Sequence, residues 1–373
     1  MKWIDRQPAL DESLERIAAE PQIAIDTEAD SLHSYFDKVC LIQISVPSED
    51  LIVDPLAKVE LARFGELLAD PAITKIFHGG DYDLRIMNRD FGFTVRNLID
   101  TSVMAQLLGY EGIGLAALLD RHFGLKVNKA HQRADWSMRP LPPDMLEYAA
   151  TDTHHLIGLA AKLREELEAL GRWPWAVEEF SRMENIRFRE VGEDDLPPWR
   201  KVKNIGGLER RALAIVRDLY EWRDQLARKA DRPPFKILGN ESIVEIAKSK
   251  PATVRDLSQI AAVSRYHADR HGRELVAIVR KAMEIPEAEL PDKNEPKAWI
   301  RDKSLESRIN RLKTVRDRYA KELKIDPAVL GARHILAAIA TSGTLDVPNM
   351  REWQKQVMGD ALLASIQPEK KLF

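Results

Sequence analysis

The chain has 373 residues, of which 45% are hydrophobic and 31% charged, and its formal net charge is -3. This length exceeds that of one ordinary domain, and no apolar run approaches the roughly 18 residues that a membrane span needs. The first residues lack the apolar core of a signal peptide. Cys40 is the single cysteine and lies in an apolar run, so we expect a buried thiol and a protein of the reducing cytoplasm, not a membrane protein.

Charge is distributed unevenly along the chain. Residues 200–281 carry 19 Lys and Arg against 10 Asp and Glu, which leaves a net charge of -12 for the other residues. The pattern predicts a basic module attached to an acidic remainder. Such a remainder is poorly suited to holding phosphates unless bound cations neutralise some of its carboxylates.

The first 170 residues alternate strand-like apolar runs with helical patterns. The runs QIAID, VCLIQISV and DLIVD are separated by short polar stretches, which predicts antiparallel hairpins. TKIFH and NLID are each followed by a helical pattern, which favours parallel pairing. We expect an α/β domain with a mixed sheet flanked by helices. The segment PPDMLEYAATDTHHLIGLAAKLREELEAL, from Pro142, predicts one long helix that ends before Gly171.

Only helical patterns follow this domain, and two proline-bearing acidic stretches divide them. VGEDDLPP and IPEAELPDKNEP are interpreted as linkers. RPPFKILGNESIVEIA at 232–247 resembles IDPAVLGARHILAAIA at 325–340, so we interpret the two helical modules as repeats. The predicted order is an α/β domain at 1–190, a linker at 191–199, a helical bundle at 200–284, a linker at 285–297 and a second bundle at 298–373.

Acidic residues mark the end of one predicted strand and one face of a predicted helix. Asp26 and Glu28, in IAIDTE, are two residues apart, so alternation places them on one face of the strand with Thr27 opposite. Tyr148 and Asp152 are four residues apart and share a helix face. A strand that runs out into solvent explains the first pair equally well. Solvation and core packing explain the second.

Two further acids lie where helices are predicted to begin. In FHGGDYDLRIM, Gly79 and Gly80 supply a turn, Asp81 is expected to cap the next helix and Asp83 falls in its first turn, where the helix dipole favours an anion. Asp100, in LIDTSV, is expected to cap the helix that follows. Local electrostatics explains each acid alone. Several acids on neighbouring elements together fit phosphodiester hydrolysis by two divalent cations.

The order of these motifs is similar to that of a known superfamily. DTE at 26–28, HGGDYD at 78–83 and YAATD at 148–152 resemble the three motifs of the DEDD 3′-5′ exonucleases, and Tyr-x-x-x-Asp marks the tyrosine branch. The longer stretches resemble the ribonuclease D family and the nuclear exosome exonuclease. LYEWRDQLARKADRPPFKILGNESIVEIAKSKP is similar to the HRDC domain. The resemblance implies a ribonuclease H-like fold, a first HRDC domain and a second, degenerate HRDC-like domain.

The resemblance also implies roles for five residues. Asp26 would bridge two ions, Glu28 and Asp152 would complete one metal site, and Asp83 would contribute to the other. Tyr148 would orient the attacking water. Hard oxygen ligands suit Mg²⁺ or Mn²⁺.

Further residues are expected to contact the substrate. Lys129, Gln132 and Arg133 occupy positions that the family uses near its substrate, with a solvated polar loop as the alternative. His33 and Tyr35 are expected to stack on the terminal nucleotide or to pack within their own loop. A basic nucleic-acid face on the first HRDC module, for which ordinary solvation is the alternative, is expected at Arg210, Arg211, Arg217, Arg228, Lys229 and Lys236.

These observations together predict a monomeric 3′-5′ exoribonuclease that acts on RNA with a free 3′ end, such as tRNA precursors. One alternative is a DNA exonuclease for proofreading or repair, because the same acids serve both polymers. Another is a non-catalytic RNA-binding protein that retains the fold. Contacts to the 2′-hydroxyl distinguish RNA from DNA, and the sequence does not display them.

Overall fold

The computed structural model describes residues 1–127, 130–189, 192, 196–293 and 302–367. Its chain divides into two compact units. Residues 1–29, 38–188 and 301–373 form one, here called the α/β unit, and residues 30–37 and 189–300 form the other, here called the helical unit. Within the described ranges, no helix is both long enough and apolar enough to cross a bilayer.

The α/β unit contains a six-stranded mixed sheet in the order β1-β4-β3-β2-β5-β6. Its strands are β1 Lys2–Ile4, β2 Gln22–Ala29, β3 Val39–Val46, β4 Glu49–Val53, β5 Thr74–Phe77 and β6 Leu98–Asp100. Strands β2, β3 and β4 pair antiparallel, while β5 and β6 join β2 in parallel. This confirms the predicted mixed sheet. The edge strand β1, which pairs in parallel with β4, is not predicted by the sequence pattern.

Helices cover the sheet because its central strand β3 is buried on both faces and mostly apolar. All eight residues of β3 are buried, including Cys40. A 3₁₀ turn spans Pro55–Ala57. The helices of this part are α1 Gln7–Ile17, α2 Ala62–Ala69, α3 Asp81–Phe91, α4 Thr101–Leu108, α5 Leu115–Phe123, α6 Pro143–His154, α7 Leu156–Ala169 and α8 Trp173–Met183.

The segment predicted as one long helix is two helices. Helix α6 ends at His154 and α7 begins at Leu156, with His155 between them at φ -100° and ψ -2°. Helix α6 packs on β2, β3 and β4, whereas α7 packs on β2, β5 and α4. The break lets each half follow a different part of the twisted sheet, and the His155 ring stacks on Phe123 with centroids 5.7 Å apart. The prediction of one helix is therefore wrong, and Asp152 lies in the last turn of α6.

Residues 302–367 form a helical bundle that packs within the α/β unit. Its helices are α14 Lys303–Leu323, α15 Pro327–Leu330, α16 Arg333–Ser342 and α17 Glu352–Ile366. Trp353 stacks on Trp175 of α8 with centroids 4.8 Å apart, and its indole donates to Glu179. Glu178 accepts from the backbone amides of Glu352 and Trp353, at the start of α17. This grouping differs from the predicted order of three separate domains.

A second set of contacts joins the bundle to the middle of the α/β unit. The Arg172 guanidinium donates to the carbonyls of Leu107 and Leu323, each at 2.8 Å. Gly109 adopts φ +79°, and a Cβ atom at this position would collide with the Lys324 carbonyl. Only glycine permits this close approach of the two backbones.

The helical unit is built from α9 Arg210–Ala230, α10 Pro234–Ile237, α11 Asn240–Ser249, α12 Val254–Ser258 and α13 Arg265–Glu284. Its core joins α9, α11 and α13, and also buries Leu290 from the predicted second linker. The bundle of residues 302–367 repeats the lengths of its first three helices, 93 residues later. Arg223 donates to the Leu238 carbonyl, and Arg316 to that of Gly331, again 93 residues later in both partners. The shared elements support the predicted repeat.

Candidate active site

Three carboxylates meet where β2 ends and α6 ends. The carboxyl-terminal half of β2 carries Asp26 and Glu28, and the last turn of α6 carries Asp152. One carboxylate oxygen from each of the three lies within 4.8 Å of the others. They line a cleft of about 590 Å³, together with Tyr148. The structure thus brings together four of the five residues that the resemblance selects.

Asp83, the fifth residue, is buried in the first turn of α3. The Thr27 hydroxyl, on the strand between the two acids of β2, donates a hydrogen bond to its carboxylate. The charge of Asp83 acts on Asp26, which places the fourth acid beside the other three. Thr27 therefore links the second motif to the first, a contact that strand alternation does not predict.

The turn before Asp83 is held by Asp100, not by Asp81. Helix α3 begins at Asp81 with Gly80 as its N-cap, and the Asp81 carboxylate pairs with Arg85 one turn later at 2.8 Å. The prediction that Asp81 caps this helix is wrong, because Asp81 is already the first helical residue and its carboxylate pairs with Arg85 instead. Asp100 does cap α4, as predicted, by accepting from the amides of Ser102 and Val103, and it also accepts from the Gly80 amide at 2.8 Å.

Burial and mutual repulsion make the acids of the cleft hard to ionise. Burial raises the pKa of Asp152 to about 7. Burial, followed by the charges of Asp152 and Asp83, raises the pKa of Glu28 to about 9. Burial also raises the pKa of Asp83 to about 6, although the hydrogen bond from Thr27 opposes the rise. Burial and the other three acids raise the pKa of Asp26 well above its usual range. Bound cations would favour the ionised forms.

Tyr148 lies one turn before Asp152 on α6 and lines the same cleft. Its ring lies 5.7 Å from that of His131 and 6.0 Å from that of Trp136, and the Gln132 amide is hydrogen-bonded to its hydroxyl. Burial and the nearby carboxylates raise the pKa of the phenol, so the hydroxyl stays protonated. Tyr148 is therefore a positioned hydrogen-bond donor at the edge of the acid cluster.

Comparison with known proteins identifies the family. A family model described as 3′-5′ exonuclease matches residues 1–168, and an HRDC domain model matches residues 212–279. Ribonuclease D of Granulibacter bethesdensis is 31% identical over 353 residues, which cover 92% of this chain and 87% of the relative. The chain belongs to the ribonuclease D family. It is a 3′-5′ exoribonuclease, a hydrolase, with the DEDD and HRDC features that the sequence motifs predict.

Solved structures of related nucleases share its fold. The crystal structure of Escherichia coli RNase D, described as an exoribonuclease involved in structured RNA processing, matches with a TM-score of 0.72 and 28% identity over 98% of both chains. The catalytic core of RRP6 from Trypanosoma brucei matches with a TM-score of 0.66 and 29% identity, covering 75% of this chain and 79% of that chain.

The acid cluster suits the divalent metal ions on which this exonuclease family depends. Its three clustered ligand atoms are carboxylate oxygens, the donors that hard divalent cations prefer. Gln43 lies opposite Asp26 in the β2–β3 ladder, so both side chains point to the same face of the sheet. Both polar atoms of the Gln43 amide are buried with no partner among the described residues. A hydrated cation beside Asp26 would supply one.

The expected substrate contacts fall in three places. Gln132 and Arg133 line the cleft, whereas Lys129 lies outside the described residues. His33 and Tyr35 lie in the segment of residues 30–37 that belongs to the helical unit.

Tyr35 makes its contacts with helix α9 and the residue that ends it. Its hydroxyl donates to Asp224 at 3.0 Å, its backbone amide donates to Asp231 at 2.9 Å, and Arg228 lies over its ring. The His33 ring lies 3.5 Å from Lys236. These contacts are those expected of packing residues, the alternative that the sequence leaves open, and stacking on the terminal nucleotide stays a prediction.

The six basic residues expected to form one face of the HRDC module differ in their contacts. Arg210 donates to the carbonyls of Leu290 and Pro291, and Arg211 to three carbonyls at the end of α13. Both side chains therefore connect the start of α9 to the end of α13 and the residues that follow it. Arg217 pairs with its neighbour Asp218, and Lys229 is exposed. The remaining two, Arg228 and Lys236, contact the segment of residues 30–37.

Sequence reasoning missed three residues of the cleft region: Thr27, Gln43 and His78. His78 lines the cleft, and its Nδ1 atom lies 2.9 Å from the Thr101 hydroxyl. Gln43 carries a sequence signal, because it is the one side-chain amide in a buried and mostly apolar strand. Thr27 carries none, since a threonine in a strand is ordinary.

Proposed function

We propose that this exoribonuclease removes nucleotides from RNA 3′ ends by hydrolysis assisted by two divalent ions. The observation that carries the proposal is the cluster of Asp26, Glu28 and Asp152, with Asp83 beside it. Asp26 is central and would contact both ions, Glu28 and Asp152 would hold one, and Asp83 would hold the other. The bound ions supply a water of lowered pKa and stabilise the leaving oxygen.

The protein's own contribution is to hold the reacting groups in place. The protonated Tyr148 hydroxyl can donate to the attacking water or to a phosphate oxygen, and Gln132 and the flanking rings fix its direction. Arg133 lines the same cleft and can contact a phosphate of the RNA. Catalysis in this form relies on orientation and charge, without a covalent intermediate.

We further propose Mg²⁺ or Mn²⁺ as the ions, structured RNA such as tRNA precursors as the substrate, and a cytoplasmic monomer as the working form. Carboxylate oxygens support the choice of hard cations. The description of the related Escherichia coli enzyme, as acting in structured RNA processing, supports the substrate. The single cysteine is buried and cannot form a disulfide within the chain, which supports the location.

The test measures shortening of matched RNA and DNA strands carrying a 5′ label, with Mg²⁺ or Mn²⁺ and with EDTA. RNA is expected to shorten in single-nucleotide steps from its 3′ end, only with metal, and faster than DNA. Asp83→Asn is expected to abolish shortening, because it removes a metal ligand. Asp81→Asn is the matched control, since its carboxylate pairs with Arg85 on the outside of the same helix turn.

Three results would contradict the proposal. An RNA strand left intact by the wild-type chain would contradict the exonuclease activity. A preference for DNA would contradict RNA as the substrate. Equal activity of the two variants would remove Asp83 from the metal site.

A further inference from the structure

Helix α13 carries exposed residues along one side. Tyr266, Arg270, Arg273, Ala277 and Arg280 follow one another at intervals of four and three residues, so they share one face of the helix. All five are exposed, and Tyr266 has a relative exposure of 56%. The face extends about 20 Å along the helix axis at about 1.5 Å per residue. The tyrosine and three arginines are here called the α13 stripe.

The arginines of the stripe keep their charges available. Within the described residues, they form no ion pair with a carboxylate, and two acids on the same helix have other partners. Asp269 pairs with Arg265 at 3.7 Å, and Glu274 accepts from the Trp222 indole at 3.1 Å. An exposed guanidinium without a carboxylate partner retains its donors for phosphate oxygens.

The aromatic member of the stripe is arranged for stacking. The Arg270 guanidinium lies over the Tyr266 ring, 5.9 Å from its centroid, at the amino-terminal end of the row. An exposed tyrosine followed by arginines at helical spacing can stack one base and hold the phosphates on either side. A membrane surface fits less well, because the face contains Ala277 as its one aliphatic residue and lacks the apolar side chains that enter a bilayer.

We propose that the α13 stripe binds a single-stranded segment of the RNA substrate, with a base on Tyr266 and phosphates on Arg270, Arg273 and Arg280. The inference rests on the proposed ribonuclease function and adds the surface that holds the RNA body. The proposed surface lies on α13, near the end of the HRDC module. The basic residues that charge alone selects lie between Arg210 and Lys236, nearer its beginning. Arg210 and Arg211 donate to backbone carbonyls, whereas the stripe arginines have no such acceptor within the ranges that the structure describes.

The test uses the full chain and fluorescence anisotropy of labelled oligoadenylate in EDTA. The variant R270Q/R273Q/R280Q is expected to bind at least about tenfold more weakly, with a salt dependence shallower by about two, since each phosphate contact contributes about 0.7. R270K/R273K/R280K preserves the charges and is expected to preserve most of the salt dependence. R311Q/K313Q/K321Q removes three exposed charges from α14 and is expected to change binding less than twofold.

Tyrosine variants test the stacking contact separately. Tyr266→Ala is expected to weaken binding about fivefold or more without changing the salt dependence, while Tyr266→Phe retains the ring and the affinity. The stripe side chains are exposed, so circular dichroism and melting temperature should match those of the wild type.

Several outcomes would overturn the inference. Wild-type affinity in R270Q/R273Q/R280Q would do so, as would equal losses in the α14 control, which would indicate binding by net charge. Retained RNA affinity with lost binding to vesicles of anionic phospholipid would assign the surface to a membrane. RNA shortening by the wild-type chain is measured alongside, because it tests the proposed function independently of RNA binding by the stripe. If it occurs while the stripe variants bind normally, only the stripe assignment fails.

Discussion

At the scale of single residues, the cleft holds acids that repel one another. Two of the four acids lie beside a residue that donates to them or can do so. Thr27 donates to Asp83, and the Gln43 amide, which has no partner in the described part of the chain, lies across the ladder from Asp26. The raised pKa values show that the metal-free cluster is electrostatically strained. The strain favours cation binding because a divalent ion lowers the cost of all the charges together.

We expect this strain to lower the free energy of unfolding of the metal-free protein, and Asp152 to account for part of the loss. Its folded pKa of about 7 exceeds the ordinary 3.8, so between these values the folded chain holds a proton that the unfolded chain releases. Stability in EDTA therefore falls as pH rises through that window. Asp152→Asn removes this contribution and should raise the free energy of unfolding at pH 8 by about 2 kcal/mol, since a pKa unit is worth about 1.4 kcal/mol and the side chain is partly exposed.

Urea denaturation in EDTA at pH 5 and pH 8 measures this effect. The gain from Asp152→Asn should be present at pH 8 and small at pH 5. Adding Mg²⁺ should stabilise the wild type and not the variant, because the variant lacks one ligand. An Asn variant no more stable than the wild type at pH 8 would show that Asp152 is not strained.

At the scale of elements, helix starts and breaks determine where the acids lie. Asp100 caps α4 and also accepts from the amide that precedes α3, so one carboxylate fixes the start of both helices. The break at His155 lets α6 lie on β2, β3 and β4 while α7 follows β2 and β5. Asp83 lies in the first turn of α3 and Asp152 in the last turn of α6, so the residues at which these helices begin and end determine where the two carboxylates lie.

Replacing the shared cap should affect both stability and activity. Asp100→Ala is expected to cost about 2 kcal/mol, at the upper end for an N-cap, because the Gly80 amide also loses its acceptor. RNA shortening should fall by about tenfold or more, since a small displacement of a catalytic group is costly. Asp302→Ala removes an N-cap of the same type from α14 and should lower stability without this loss of activity. Equal activity of the two variants would contradict the role of Asp100.

Local patterns predicted some of these elements and missed others for physical reasons. Strand alternation, the cap at Asp100 and the spacing of Tyr148 and Asp152 depend on neighbours in the chain, so the sequence displays them. The break at His155 depends on packing against distant strands. The carbonyl contacts of Arg211 depend on the end of a helix about 70 residues away. Asp83 was selected by family resemblance, because the Thr27 contact that holds it is not local.

At the scale of the whole molecule, the α/β unit is assembled from three separated segments. The bundle of residues 302–367 contributes Trp353 to α8, and Arg172 joins its backbone to that of α4. The catalytic sheet therefore shares one compact unit with a part of the chain that the sequence pattern assigned to a separate domain.

Removing the Trp353 side chain should destabilise this unit. Trp353→Ala is expected to cost about 3 to 5 kcal/mol, because a buried indole, its stack on Trp175 and its hydrogen bond to Glu179 are lost. Trp353→Phe keeps a ring and should cost less. Urea unfolding followed by circular dichroism, with RNA shortening measured at each urea concentration, checks both variants. Activity that survives loss of the bundle in Trp353→Ala would show that the two parts unfold independently.

The segmented α/β unit has a consequence for synthesis on the ribosome. Residues 189–300 emerge before residues 302–367, while their partner segment of residues 30–37 has already been made. Translation of the intervening stretch takes on the order of 10 s at about 5 to 20 residues per second. During that interval the nascent chain can complete its helical unit while α8 still lacks the bundle that covers it. The helical unit can therefore form before the last segment of the catalytic unit has been synthesised.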